Sequence, residues 1–241
     1  MFTVPGPILS TFQNNTNCSE DAGPLTSYLA KVKAWLDENP NEGTSPFLNN
    51  CHSRKHANPR LVLTILFTND DGIPVTSWAA DFETEGISEL AYTPPFNTTP
   101  SSPISWPTLG SMISSGKRVV IFLDSGADQS TISWILPEFT YIWETPFDQT
   151  DNSFPCVINR PPSLVGESPG GRMSLVNHFL DTNLTSSIQV PDVSALNVTN
   201  GLSGTGSLGV QVQECAAMWG VYPNFLLVDC IVFRVSMVSN A

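Results

Sequence analysis

Apolar positions first recur at helical spacing in Leu25, Tyr28, Leu29, Val32, Trp35 and Leu36, and the run stops at Asn39-Pro40. Leu63–Thr68 is different: a short, continuous apolar stretch ending in Asn69-Asp70-Asp71-Gly72, which predicts a buried strand and then a turn. Trp78, Ala79, Phe82, Ile87 and Leu90 predict a second helix, and Leu109, Met112 and Ile113 a third, ended by Gly116. Val119–Leu123 is the next buried strand, followed by a helix around Ile132–Leu136 and a strand at Thr140–Trp143. The proline-rich stretch Asp148–Gly171 reads as loop. Ser174–Leu180 predicts a strand, Val210–Trp219 a helix and Asn224–Val228 a last buried strand.

Buried strands that alternate with amphipathic helices imply an α/β fold with a mostly parallel sheet and helices outside it. About five strands are legible, too few to close an eight-stranded cylinder. No internal repeat is present, and the low-complexity segment Thr98–Pro107 is loop-sized. At 241 residues, 41% of them hydrophobic, the chain is long enough for one domain with a real core.

Charge narrows the partners. Only 13% of residues are charged, yet 22 acids against 10 Lys and Arg leave a formal net charge of −12, which disfavours phosphate backbones and so nucleic acid. Asn14, Asn17, Asn97, Asn183 and Asn197 each begin an N-x-[ST] triplet in polar surroundings, which points to export and glycosylation, with Asn97, Asn183 and Asn197 as the acceptors. Cys18, Cys51, Cys156, Cys215 and Cys230 make an odd set, so at least one is unpaired within the chain, and no CxxC occurs. Met1–Ser10 has no basic start and carries prolines where the apolar core of a signal peptide belongs. An exported body without that signal implies that the true start lies upstream. No run approaches the length of a membrane span; Phe225–Phe233 is short and interrupted by Asp229.

Chemistry gathers at strand ends: Asn69 and Asp70, Asp124, Glu144 and Asp229, with His178 inside its strand. Carboxylates beside a histidine at the carboxyl ends of parallel strands can move protons or bind a metal. Asn and Asp are also favoured in the turns after strands because they cap the backbone, and both readings stay open. Asp124-Ser125-Gly126-Ala127 matches the aspartate motif of retroviral-type aspartic proteases, which need two such aspartates, one from each subunit of a dimer. Gly204-Thr205-Gly206-Ser207-Leu208-Gly209 has GxGxxG spacing, but a loop precedes it where a dinucleotide site needs a strand. His52 and His56 lack the glutamate of HExxH, and the absence of GxSxG excludes a nucleophile elbow.

Taken together, several stretches resemble the fungal PLC-like phosphodiesterases, a TIM-barrel family akin to phosphatidylinositol-specific phospholipase C. They include Asp21-Ala22-Gly23-Pro24-Leu25, Val32-Lys33-Ala34-Trp35-Leu36-Asp37-Glu38 and Phe67-Thr68-Asn69-Asp70-Asp71-Gly72. Ala91-Tyr92-Thr93-Pro94-Pro95, Phe122-Leu123-Asp124-Ser125-Gly126-Ala127-Asp128 and Glu144-Thr145-Pro146-Phe147-Asp148 follow, then Asn177-His178-Phe179 and Leu227-Val228-Asp229. The resemblance implies an incomplete TIM-type (β/α) barrel of mostly parallel strands spanning 1–241, its first strands missing. It also implies cleavage of a small-molecule or lipid phosphodiester by attack of a neighbouring hydroxyl, which takes a base–acid pair. The family's histidine before the Asp-Ala-Gly stretch has no counterpart in Thr11–Cys18, so an impaired enzyme is expected, and a silent barrel that binds a ligand or partner is the alternative.

The implied roles are catalytic for His178, Asp229 and Glu144, and substrate-binding for Asn69, Asp70 and Asp124. Asn69, Asp124, Glu144, His178 and Asp229 are expected to crowd one face. No cofactor is implied, although an acidic mouth leaves room for a divalent metal. Relatives carry cysteines at both places, so a Cys156–Cys215 disulfide is expected, with Cys18 and Cys51 outside it. Gly43–Leu61 breaks the resemblance and holds Arg54, Lys55 and Arg60 in an otherwise acidic chain; it reads as a foreign insert, a retained intron whose removal joins Asn41-Glu42 to the strand at Leu63.

Overall fold

Hydrophobic continuity, rather than alternation, selects the central strands. β2 (Leu63–Thr68) and β3 (Val119–Leu123) are apolar runs that pair in parallel, Leu63 opposite Val119 through Phe67 opposite Leu123. All five residues of β3 are buried, as expected for a strand covered on both faces. The computed structural model describes residues 2–3, 23–38, 62–95, 106–185 and 188–229. These fall into two units, Met1–Tyr141 and Ile142–Ala241.

In the first unit, β1 (Phe2–Thr3), β2, β3 and β4 (Ile135–Pro137) form one parallel sheet in chain order. α1 (Leu25–Glu38) buries Leu25, Leu29, Val32 and Leu36, one stripe at i, i+4, i+7 and i+11. The terminal carbonyl of Leu36 accepts from the Arg118 guanidinium at 3.0 Å, which supplies a cation at the negative end of the helix. α2 (Val75–Thr84) brings Trp78 and Phe82 against Phe67 of β2, with ring centroids 5.2 and 5.8 Å away. α3 (Leu109–Ser114) starts where Thr108 caps the Ser111 N–H.

The expected helix around Ile132–Leu136 is absent, and Ile135–Pro137 is instead β4. Asp128 explains part of this: its carboxylate takes the Ser130 N–H and the hydroxyls of Ser130 and Thr131, bending the chain into a turn. Ile135 and Leu136 then pair with Ile121 and Phe122, a tertiary gain that outweighs the short helical pattern. α4 (Glu138–Tyr141) occupies the start of the expected strand at Thr140, and β5 (Ile142–Glu144) its end.

In the second unit, β5, β6 (Met173–His178) and β9 (Phe225–Val228) make a parallel sheet in the order β5-β6-β9. The strand expected to reach Leu180 ends at His178, and a two-stranded antiparallel hairpin of β7 (Asp181–Asn183) and β8 (Gln189–Pro191) follows it. After α5 (Leu196–Thr199), α6 (Leu208–Trp219) is capped by the Ser207 hydroxyl and ended by Gly220 at φ 73°, a left-handed position suited to glycine. Among the described residues the strands thus form a mixed α/β arrangement of two parallel sheets, with no closed barrel.

A disulfide joins Cys156, in the loop after β5, to Cys215 of α6, with Cα atoms 5.2 Å apart. Around it pack Val176 of β6 and Trp219, whose indole N–H donates to the Cys156 carbonyl at 2.9 Å. Cys18, Cys51 and Cys230, like Asn14, Asn17, Asn97 and the segment 43–61, lie outside the described residues. Closing a loop across 59 positions restricts the unfolded chain, so Cys156→Ser with Cys215→Ser is expected to cost about 2–4 kcal/mol. Denaturant melts of oxidised wild type and the double variant measure it; equal midpoints would contradict the linkage.

Candidate functional site

In both units the polar residues collect where parallel strands end. Asn69, directly after β2, is buried and fully engaged. Its backbone N–H donates to Asp124 Oδ1 at 2.7 Å, and its side-chain amide bonds to the Ile73 carbonyl, the Ser125 carbonyl and the Ile73 N–H. The loops after β2 and β3 are therefore tied together through this pair. Gly126 belongs to the same knot: at φ 77°, an added Cβ would stand 3.0 Å from the Asn69 amide nitrogen. The Asp124-Ser125-Gly126 run is here a loop fastening, and Asp70 is exposed in the adjacent turn.

The second unit holds the denser set. Glu144, the last residue of β5, is completely buried. Its Oε2 receives the Asn177 amide at 3.3 Å and faces the Arg160 guanidinium at 3.6 Å, while Oε1 has no hydrogen-bond partner. Asn177, on the neighbouring β6, also donates from its side-chain amide to the Thr145 carbonyl at 2.9 Å and from its backbone N–H to the Thr145 hydroxyl oxygen at 2.9 Å. Arg160 lies over the Phe147 ring, 5.2 Å from its centroid.

His178 closes β6 and is fully buried against Phe154, ring centroids 4.1 Å apart. Its Nε2 meets the Thr199 carbonyl at 2.8 Å and its Nδ1 lies against the Gln211 side-chain oxygen Oε1 at 2.5 Å. A carbonyl only accepts, so Nε2 carries the proton. Burial pushes the imidazole below its ordinary pKa, so the ring is neutral and Nδ1 must accept. Two acceptors cannot share one neutral ring, so the Gln211 amide is assigned with its oxygen and nitrogen exchanged: the NH2 then donates to Nδ1, and the otherwise unpartnered buried nitrogen gains a partner.

Three carboxylates distant in sequence, Asp148, Asp181 and Asp229, come close enough for the first and last to act on Asp181. Asp181, at the base of the hairpin, is pushed up to about 6 by burial and then by the charges of Asp148 and Asp229. Burial also raises Asp229, just after β9, and Asp148, although Arg160 partly offsets the latter. The Asp229 carbonyl receives the Asn200 amide at 2.9 Å, and its Oδ2 has no hydrogen-bond partner. Like-charged carboxyls in a poorly hydrated place retain protons, so this group can donate as well as accept near neutral pH. No set of three or more His, Cys, Asp or Glu suited to a metal ion occurs among the described residues.

The sequence-predicted residues thus sort by unit. Asn69 and Asp124 meet in the first; Glu144, His178 and Asp229 all stand at carboxyl ends of the β5-β6-β9 sheet. Sequence reasoning passed over Asp148, Asp181, Asn177, Asn200 and Gln211. Asp148 ends the Glu144–Asp148 motif and Asn177 adjoins His178, so both were within reach. Asp181 sits in an unforeseen hairpin, and Gln211 matters only through a contact 33 residues away.

Asp181 makes the fold sensitive to pH. Its folded pKa of about 6 exceeds the ordinary carboxyl value of 3.8, so between these values the native state binds more protons and stability falls as pH rises. Raised Asp148 and Asp229 act in the same direction. Unfolding midpoints at pH 4 and pH 7 are expected to show a decline in wild type that Asp181→Asn flattens. An equal decline in the variant would remove Asp181 as its source.

A family model described as PI-PLC X 1 matches residues 43–240. An "Uncharacterized secreted protein" of Arthroderma benhamiae is 39% identical over 212 residues, covering 87% of this chain and 43% of that protein. A "PI-PLC X domain-containing protein 1" of the same organism is 38% identical over 220 residues, covering 90% of this chain and 64% of that protein. The chain therefore spans less than two thirds of the length of either of these relatives. No solved structure matches it. No helix among the described residues is long and apolar enough to cross a membrane. With a family match over most of its length, the chain belongs to the PI-PLC X 1 family.

Proposed function

We propose that the full-length protein is an exported phosphoric diester hydrolase of the PLC type, acting on a phospholipid or phosphoinositide-like diester within a TIM-type barrel. In this reading the present chain holds the ligand, and the base–acid pair for hydroxyl attack is not among its described residues. Family membership, a relative named as secreted and all-parallel pairing in both main sheets support it. The observation that carries it is His178. Completely buried, with both ring nitrogens taken by Thr199 and Gln211, it has neither a free lone pair nor access to a substrate hydroxyl.

Asp181 and Asp229 remain as groups able to accept hydrogen bonds from a polyol headgroup, while Glu144, completely buried, holds the Arg160 guanidinium at 3.6 Å. Asn69 and Asp124 tie together the loops after β2 and β3 of the first unit. The same sealed histidine favours the second reading, a catalytically silent barrel that binds a ligand.

Phosphatidylinositol vesicles test the assignment. The purified chain is expected to release no water-soluble phosphorylated headgroup above the blank. His178→Ala is expected to lower thermal stability by breaking the buried bonds, costing about 1–3 kcal/mol. Release above the blank that His178→Ala abolishes would overturn the structural role given to this histidine.

A further inference from the structure

Between β6 and α6 the chain has no lysine or arginine, and it presents a run of large apolar side chains to solvent. Leu184 and Ile188 flank the turn of the β7–β8 hairpin, Val193 follows β8, Val198 lies in α5 and Leu202 just beyond it. All five are exposed, Leu184 by 68% and Val193 by 65%. So much apolar surface within twenty residues is a liability for a soluble molecule unless something covers it.

The chain carries its own candidate cover. Asn183-Leu184-Thr185 and Asn197-Val198-Thr199 are both acceptor triplets, and the middle residue of each is one of the exposed apolar side chains. Both asparagines are themselves exposed, one at the outer end of β7 opposite Gln189, the other on α5. A glycan rooted at either position begins one residue along the chain from an exposed apolar side chain, and a bulky, branched sugar reaches past its own attachment point. Among the described residues neither asparagine side chain is held in a hydrogen bond, in contrast to the buried Asn69, Asn177 and Asn200.

We propose that Asn183 and Asn197 carry N-linked glycans that cover this apolar stretch and keep it from lipid surfaces and from other copies of the chain. The donor is a lipid-linked oligosaccharide diphosphate. The Asn amide nitrogen bonds to the anomeric carbon as the carbon–oxygen bond to the diphosphate breaks; the lipid diphosphate departs with the electron pair and the amide proton passes to a base. The hairpin and α5 thus present a hydrated, sugar-covered face, and any lipid ligand approaches elsewhere.

The test uses the whole 241-residue chain behind a cleavable secretory leader in yeast, so that failure of the acceptors is separated from failure of native export. Peptide mapping after treatment with a peptide N-glycosidase in isotope-labelled water, which hydrolyses the Asn–sugar amide bond and leaves a labelled Asp, is expected to mark both Asn183 and Asn197. Enzymatic deglycosylation of the folded protein is expected to raise binding of an apolar dye severalfold and to let it sediment with phosphatidylcholine vesicles. Asn183→Gln with Asn197→Gln, the other acceptors retained, is expected to do the same. Deglycosylation of the folded wild type decides the matter if that variant does not fold. Unmarked acceptors, or unchanged dye and vesicle binding after the sugars are removed, would overturn the proposal.

Discussion

A neutral imidazole held on both sides is the constraint around which the second unit is organised. His178 ends β6, and its two nitrogens reach the last residue of α5 and the first turn of α6. One ring therefore joins a sheet to two helices, with Phe154 from the loop after β5 packed on its face. Such a group must be satisfied completely or not at all, because an unpaired polar atom in this place would cost more than an apolar one. The Cys156–Cys215 disulfide and the Trp219–Cys156 bond hold the same loop and the same helix from another side. Helix α6 is thus fixed twice, covalently and through a neutral hydrogen-bonded ring.

This rigidity has an electrostatic consequence. With the histidine neutral, β6 offers no cation to Asp148, Asp181 and Asp229, and Arg160 serves Glu144 and partly offsets Asp148. Burial and then the charges of Asp148 and Asp229 raise Asp181, so the unit carries acid–base capacity in Asp181 instead of in an imidazole. If the chain holds a ligand as proposed, a sealed His178 suits holding that ligand better than transforming it. The family relationship and the sealed ring are compatible once holding and transforming are separated.

The buried parallel strands were legible because β2 and β3 are continuous apolar runs, and α1 because its stripe keeps a strict helical period. The segment from Asp128 to Glu144 was not, because strand and helix there last three or four residues and no period can be established. Pairing with β3 and the turn built by Asp128 decided it. The β7–β8 hairpin was hidden by polar residues and a proline at its edge, which blunt the alternation a strand is recognised by. At the site, Glu144, His178 and Asp229 stood out as chemistry-bearing residues after apolar runs. Their roles did not, since burial and the bond to Gln211 are long-range properties.

Long-range proton–nitrogen correlation of the His178 imidazole tests this account most directly. A ring that donates from Nε2 to Thr199 and accepts at Nδ1 from Gln211 has two well-separated nitrogen shifts of the neutral form, and these hold steady across the range in which an ordinary histidine titrates. The account predicts that spectrum. A ring whose two nitrogen shifts converge on the imidazolium values as the pH falls through the usual histidine range would contradict it.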